Sequence, residues 1–213
     1  MTSTANALQR AWWLKTLHKW HWISAAISLI GLLLFSITGI TLNHAASIEA
    51  APRVAMRDAR LPQPLADQLT AEAKAAAGAR TPPALPNDVA RWIAGELSVD
   101  TRGRELEWSA DEVYIALPRP GGDAWLRIAL PEGEVEYEVT TRGWVSYLND
   151  LHKGRHTGTA WTWFIDLFAA ACLLFALTGL LILKLHAANR AATWPLVAAG
   201  LLLPLVIALF TIH

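Results

Sequence analysis

The chain has 213 residues, of which 54% are hydrophobic and 17% charged, and its 18 basic side chains are balanced by 18 acidic ones. With a mean hydropathy of +0.30, it is more apolar than a typical soluble domain, in which about a quarter of the residues are charged. The zero net charge excludes a nucleic-acid binder that depends on an overall basic field. The single cysteine excludes an intramolecular disulfide and any cysteine-rich zinc or iron–sulfur site.

Three apolar segments predict transmembrane helices, at residues 22–44, 159–185 and 194–212. The first is uncharged from Trp22 to Leu42, which at about 1.5 Å per residue is enough to cross a ~30 Å hydrocarbon core. The second is interrupted only by Asp166 before its basic end, and in the third Pro204 is expected to kink the helix. Small residues after the first segment would also suit a cleaved signal peptide, but its apolar run exceeds the usual ~7–15 residues. We therefore expect a signal anchor.

Basic residues orient these segments. Residues 1–21 contain three lysines or arginines and no acid, and the short loop at 186–193 lies beside Lys184 and contains Arg190. Both are predicted to be cytoplasmic, in a bacterial inner membrane, which makes the insertion at 45–158 periplasmic. Most tryptophans lie near the predicted boundaries, as amphipathic rings prefer, namely Trp12, Trp13, Trp20, Trp22, Trp144, Trp161, Trp163 and Trp194.

The insertion predicts a small α+β unit. Residues 51–82 are rich in Ala, Arg and Pro and suggest a linker with a helical piece near 64–78, and residues 87–97 predict a helix that opens on a capping Asn or Asp. Alternating apolar residues then predict a three-stranded meander, at 106–117, 124–130 and 134–140. Residues 51–140 contain no histidine and no glycine-rich phosphate loop, so we predict no catalytic residues among them.

All seven histidines lie outside residues 45–151. His18, His21 and His186 fall at the predicted inner ends of helices one and two, His44, His152 and His156 fall at the outer ends, and His213 closes the chain. His18 and His21 are three residues apart and His152 and His156 four, spacings that place each pair on one helical face. Ionisable groups near a membrane are costly and usually functional, although a boundary histidine can also be a simple interfacial residue.

Two short strings recur along the chain. Leu-His-Lys occurs at residues 17–19 and 151–153, and Leu-Phe-Ser-Ile-Thr-Gly at 34–39 resembles Leu-Phe-Ala-Leu-Thr-Gly at 174–179. Because helices one and two run in opposite directions, this would be an inverted repeat. Thr-Gly pairs in membrane helices most often form helix–helix contacts, and we predict that role for them.

Histidine pairs from facing helices can ligate a b-type haem on both axial faces, with Arg155 or Lys153 holding its propionates. A zinc or copper site at His44, His152 and His156 is the alternative, in which a nearby acid such as Asp150 or Asp166 could assist. Asp166 could instead neutralise Arg155, bond a ligand histidine or relay a proton.

These strings also carry a family resemblance. The sequence resembles the PepSY-associated transmembrane helix proteins over residues 12–48 and 142–185, and residues 85–140 resemble a degenerate PepSY unit. The matching residues are Leu17-His18-Lys19-Trp20-His21, Thr38-Gly39, Leu42-Asn43-His44, the string Leu151-His152-Lys153-Gly154-Arg155-His156-Thr157-Gly158, and Leu177-Thr178-Gly179. Larger members of that family have four or more spans and a longer outer domain.

That family includes haem-containing inner-membrane reductases of ferric iron and ferric siderophores. The resemblance implies haem b, one or two per chain or shared across a homodimer, with His18 and His152 as iron ligands and His21, His44 and His156 as further candidates. The fold expected is a mainly α, three-helix integral membrane protein with a small extracytoplasmic PepSY-like insertion between helices one and two. The electron donor must be another molecule, because the chain has no flavin or nicotinamide fingerprint. The alternative function is a non-enzymatic, membrane-anchored interaction or metal-binding module.

Overall fold

A computed structural model describes residues 2–49, 51–76 and 83–212. The helices are α1 (Thr2–Asn43), α2 (Gln63–Ala76), α3 (Asn87–Leu97), α4 (Trp144–Lys153), α5 (Thr159–His186) and α6 (Thr193–Thr211). The strands are β1 (Arg53–Arg60), β2 (Leu106–Trp108), β3 (Glu112–Ala116), β4 (Gly122–Ala129) and β5 (Glu134–Thr141). The chain divides into a helical unit, Met1–Leu34 with Trp163–His213, and a sheet unit, Phe35–Thr162.

Three helices are long and apolar enough to cross a membrane, as predicted: Leu8–Asn43, Thr159–His186 and Thr193–Thr211. The first is longer than the predicted span 22–44, because α1 is continuous from Thr2. Most large apolar side chains on these helices are exposed, which suits contact with lipid rather than with a protein core.

In the helical unit, α1 presents small or buried side chains every three to four residues, namely Leu17, His21, Ser24, Ser28 and Gly31. The two serine hydroxyls are buried and donate to backbone carbonyls of their own helix. This face of α1 therefore has no large side chain and no unpaired hydroxyl at the two serines. A side chain at Gly31 would overlap the ring of Phe168 on α5. This stripe therefore lets α1 and α5 approach closely, as small residues do in membrane helix pairs.

In the sheet unit, the five strands form one antiparallel sheet in the order β1-β5-β4-β3-β2. One face carries the buried core, which α2 and α3 complete with residues such as Leu69, Val89 and Ile93. Alternation of buried and exposed positions along β4 matches a strand with one solvent-facing side.

Several local expectations for the insertion were wrong. Residues 53–60 are an edge strand paired with β5 along eight residues rather than a linker. The run at 106–117 is two strands, because Ser109 Oγ accepts hydrogen bonds from the N–H groups of Asp111 and Glu112 and turns the chain. The helix at 87–97 is present, but its N-cap is Pro86 rather than an Asn or Asp.

Candidate functional site

His21 on α1 lies against α5 within the helical unit. Its Nδ1 is 3.1 Å from Thr178 Oγ1 and 3.2 Å from the carbonyl oxygen of Phe175. The imidazole stacks on the Phe175 ring, with centroids 4.6 Å apart and planes at 17°. Gly179 leaves room for it, because a Cβ there would be 3.2 Å from His21 Cε1. The half-buried His21 ring is thus held on three sides by one short string of α5.

His152 on α4 is held in the same way by α1 within the sheet unit. Its Nδ1 is 2.7 Å from Thr38 Oγ1, and its ring centroid is 4.9 Å from that of Phe35. A Cβ on Gly39 would lie 3.6 Å from His152 Cε1, so this glycine also faces the imidazole. As at His21, a half-buried histidine lies against a phenylalanine, a threonine and a glycine of another helix.

The two sites use the recurring string that the sequence contains. Both threonines belong to Phe-x-x-Thr-Gly, at residues 35–39 and 175–179, and each string contacts one histidine of another helix. The Thr-Gly pairs do contact another helix, as predicted, and the residue they contact is an imidazole. The Leu-His-Lys repeat points to a different equivalence, His18 with His152, whereas the matching contacts are those of His21 and His152.

The hydrogen bonds indicate which nitrogen of each ring carries the proton. The Phe175 carbonyl can only accept, so His21 Nδ1, 3.2 Å from it, is protonated. At His152, Thr38 Oγ1 can donate to the Phe35 carbonyl at 3.1 Å and accept from the ring at 2.7 Å, which favours a proton on Nδ1 there as well. In both rings Nε2 then carries a lone pair and has no hydrogen-bond partner in the part of the chain that the structure describes.

His152 is positioned by the anchoring of α4. Asn149 and Asp150, on the preceding turn, are both buried. Thr41 on α1 donates to Asn149 Oδ1 at 2.8 Å, and Asp150 Oδ2 accepts from the Gly121 N–H at 2.8 Å. The helix ends at Gly154, which has a φ of 65° and bonds back to Leu151. These contacts hold α4 to both the end of α1 and the sheet.

The remaining candidate ligands are exposed. His18 and His44 each donate Nδ1–H to the carbonyl four residues earlier, at 2.8 and 3.0 Å. His186, to which the sequence assigned no partner, does the same at 2.9 Å and packs edge-to-face on His18, with centroids 6.0 Å apart. Contacts between α1 and α5 create this pair, so sequence spacing could not have identified it.

The expected pairing of His152 with His156 on one helical face is wrong. The helix α4 ends at Lys153, and His156 follows the left-handed Gly154 with a positive φ of 58° of its own. The two imidazoles therefore belong to different backbone segments. His213 lies outside the described residues.

Within the described ranges, no cluster of three or more His, Cys, Asp or Glu side chains could hold a metal ion. The zinc or copper site at His44, His152 and His156 therefore stays a prediction, since these three side chains do not form such a cluster. Asp166 is exposed on α5, and Arg155 is exposed beyond α4. Neither side chain makes an ion pair with any residue that the structure describes.

The comparisons with known proteins give one result. No curated protein matches the chain, and neither does any solved structure. A family model described as PepSY_TM-like matches residues 12–213. This match includes both histidine sites, the sheet unit and all three apolar helices, and the chain therefore belongs to the PepSY_TM-like family.

Proposed function

We propose that the chain is a b-type haem oxidoreductase of the bacterial inner membrane, which passes electrons to ferric iron or a ferric siderophore on the periplasmic side. The observation that carries the proposal is the pair of matching sites at His21 and His152. In each, the hydrogen bonds at Nδ1 favour a proton on that nitrogen, which leaves the Nε2 lone pair available. Histidines that bind metals are held in this manner, with the second ring nitrogen donating to a neighbour.

The residues present fit a haem. His21 and His152 would each give Nε2 to an iron, while Phe175 and Phe35 pack against the rings and restrict their movement. Haem iron supplies reversible one-electron chemistry, which needs no general acid or base from the protein. Each site offers one positioned imidazole. A second ligand would come from His18 at the first site or from His44 or His156 at the second, in the same chain or in a second copy.

The proposed orientation in the membrane follows from charge. The N-terminal part of α1 carries basic residues and no acid, so His21 lies near the cytoplasmic side and His152 near the periplasmic side. Arg155 follows α4 and would pair with a haem propionate. Electrons would enter from a separate donor at the His21 end and leave at the His152 end.

The test is an absorption spectrum of the full-length protein purified from haem-replete cells. A Soret band and an α band in the reduced-minus-oxidised spectrum are expected, and both should weaken in His21→Ala and in His152→Ala. The comparison variant is His186→Ala: this exposed histidine packs on His18 but takes no part in the hydrogen bonds of His21 or His152, so it should lose less of the spectrum than either site variant. Absence of both bands from the wild-type protein would overturn the proposal.

The second candidate is a membrane-anchored interaction or metal-binding module. It is favoured by the fact that each histidine–threonine hydrogen bond joins two helices and so can serve helix packing alone. This alternative predicts no visible absorption band. If it binds a metal, it also predicts zinc or copper in a fixed ratio to protein, which elemental analysis of the same preparation measures.

A further inference from the structure

A cavity of about 760 Å³ lies in the sheet unit, where the end of α1, the start of β1, the end of β5 and α4 meet. Its size suits a drug-sized molecule, since small-molecule sites have volumes of roughly 300–1,000 Å³. Of the residues that line it, the sequence pointed only to Asp150, Lys153 and Arg155 as candidate functional residues.

The cavity wall is basic. Arg53, Arg142, Lys153 and Arg155 line it, against two acidic residues, Glu49 and Asp150. One of the acids is already engaged, because the buried Asp150 carboxylate accepts the Gly121 N–H at 2.8 Å. The cavity thus presents a net positive charge to whatever enters it.

The four cations are available to a ligand. All are exposed, and none forms an ion pair with a residue in the described ranges. Elsewhere in the same unit, arginines are neutralised by nearby acids: Arg91 by Asp88 at 3.1 Å, Arg102 by Asp100 at 2.9 Å and Arg127 by Glu112 at 2.8 Å. The four cations around the cavity have no such acid partner among the described residues, and their charge is therefore available to a ligand.

The start of α4 adds donors to the same wall. Trp144, Val145 and Ser146 line the cavity and form the first turn, and Gly143 before them provides no side-chain cap. The first amide with a helical acceptor is that of Tyr147, which bonds the Gly143 carbonyl at 3.1 Å. Free amides and the positive end of a helix dipole both favour an anion.

We propose that this cavity binds a small molecule that carries two or more carboxylate groups. Arginine presents paired N–H donors in the planar geometry that a carboxylate accepts, and three arginines around one cavity suit several carboxylates at once. One extension rests on the proposed function: because Lys153 and Arg155 follow His152 in the chain, the ligand of an electron-transfer site here would be a ferric polycarboxylate chelate.

The test is calorimetric titration of the full-length protein in detergent with citrate, ferric citrate and inorganic phosphate. Wild-type protein should bind citrate or its ferric complex, and more weakly as salt is raised. Arg142→Gln combined with Arg155→Gln should weaken binding at least tenfold. Arg91→Gln combined with Arg102→Gln removes the same number of charges away from the cavity and should leave binding within twofold of wild type.

Three outcomes would overturn the proposal: no binding of either citrate species by wild-type protein, equal binding of phosphate, or unchanged binding in the cavity variant. Arg142→Lys with Arg155→Lys keeps the charge and should lose part of the affinity, which separates geometry from charge if the glutamine variant is unstable. Loss of haem from the glutamine variant with citrate binding unchanged would assign these cations to haem carboxylates and also contradict the proposal. Citrate binding in His152→Ala tests the cavity independently of any haem.

Discussion

Replacing the two site threonines by valine should have unequal effects. Thr38→Val and Thr178→Val each remove one hydroxyl and keep the side-chain volume nearly unchanged. Thr38 Oγ1 is the single hydrogen-bond partner of His152 Nδ1 in the described structure, at 2.7 Å. His21 Nδ1 retains the Phe175 carbonyl at 3.2 Å when Thr178 loses its hydroxyl at 3.1 Å. Thr38→Val therefore leaves an unsatisfied Nδ1–H and Thr178→Val does not.

The magnitudes follow from this difference. Loss of a residue that holds a metal-ligating histidine typically lowers the affinity for the metal by about 10–100-fold. We expect Thr38→Val to lower the affinity for haem by an amount near the upper end of that range, and Thr178→Val to lower it about tenfold or less. If the contacts serve only to join helices, each hydrogen bond contributes about 0.6 kcal/mol and at most about 1.7 kcal/mol to stability.

The assay is haem retention during dilution of the purified protein in detergent, with thermal unfolding measured in parallel. Thr41→Val is the matched control for Thr38→Val, because Thr41 also joins α1 to α4, through Asn149 Oδ1 at 2.8 Å, but does not contact the histidine. It should lower thermal stability and raise haem loss less than Thr38→Val does, because the hydrogen bond between Thr38 and His152 remains. Equal haem loss in Thr38→Val and Thr178→Val, or in Thr38→Val and Thr41→Val, would refute the reasoning.

Three further predictions follow from the packing and electrostatics. Gly179→Ala should lower haem content more than Gly39→Ala, because the added Cβ would lie 3.2 Å rather than 3.6 Å from the histidine ring, and the haem-to-protein ratio measures this. Ile93→Ala, in the fully buried core, should destabilise the sheet unit by about 2–5 kcal/mol in chemical unfolding. The Arg102 side chain and N–H lower the pKa of Asp100 to about 2, so the stabilisation is present above the usual aspartate pKa and is lost as pH falls towards 2. An NMR titration should find the pKa of Asp100 restored towards its usual value in Arg102→Gln.

The membrane helices could be predicted because their signal is local. Each of the three apolar runs is long enough to cross a bilayer and is almost free of charged residues, a combination that few other structures require. The helix at 87–97 and the strands near 124–130 and 134–140 were also evident, from the spacing of their apolar residues.

β1 could not be predicted in the same way. Its sequence, Arg-Val-Ala-Met-Arg-Asp-Ala-Arg, is mostly exposed and has little of the apolar alternation that marks a strand. Pairing with β5 makes it a strand, and that pairing joins residues about 80 positions apart in the chain. Sequence patterns of a few residues carry no information on such a partner.

The sequence indicated the residue types of the histidine sites but not which residues contact one another. Histidine placement beside the spans and the repeated Thr-Gly string were both visible in the sequence, but their connection was not. Neighbouring histidines in the chain suggested pairs such as His152 with His156, whereas each site pairs one histidine with a threonine from a distant helix. The basic cavity was equally hidden, because its cations come from β1, the end of β5 and α4.

The haem-to-protein ratio of wild type, His21→Ala, His152→Ala and the double variant tests the central claim most directly. With two matching sites, the account predicts that each single variant loses a similar share of the haem and that the double variant retains none. A double variant that keeps the wild-type ratio, or a wild-type protein without haem, would contradict the account.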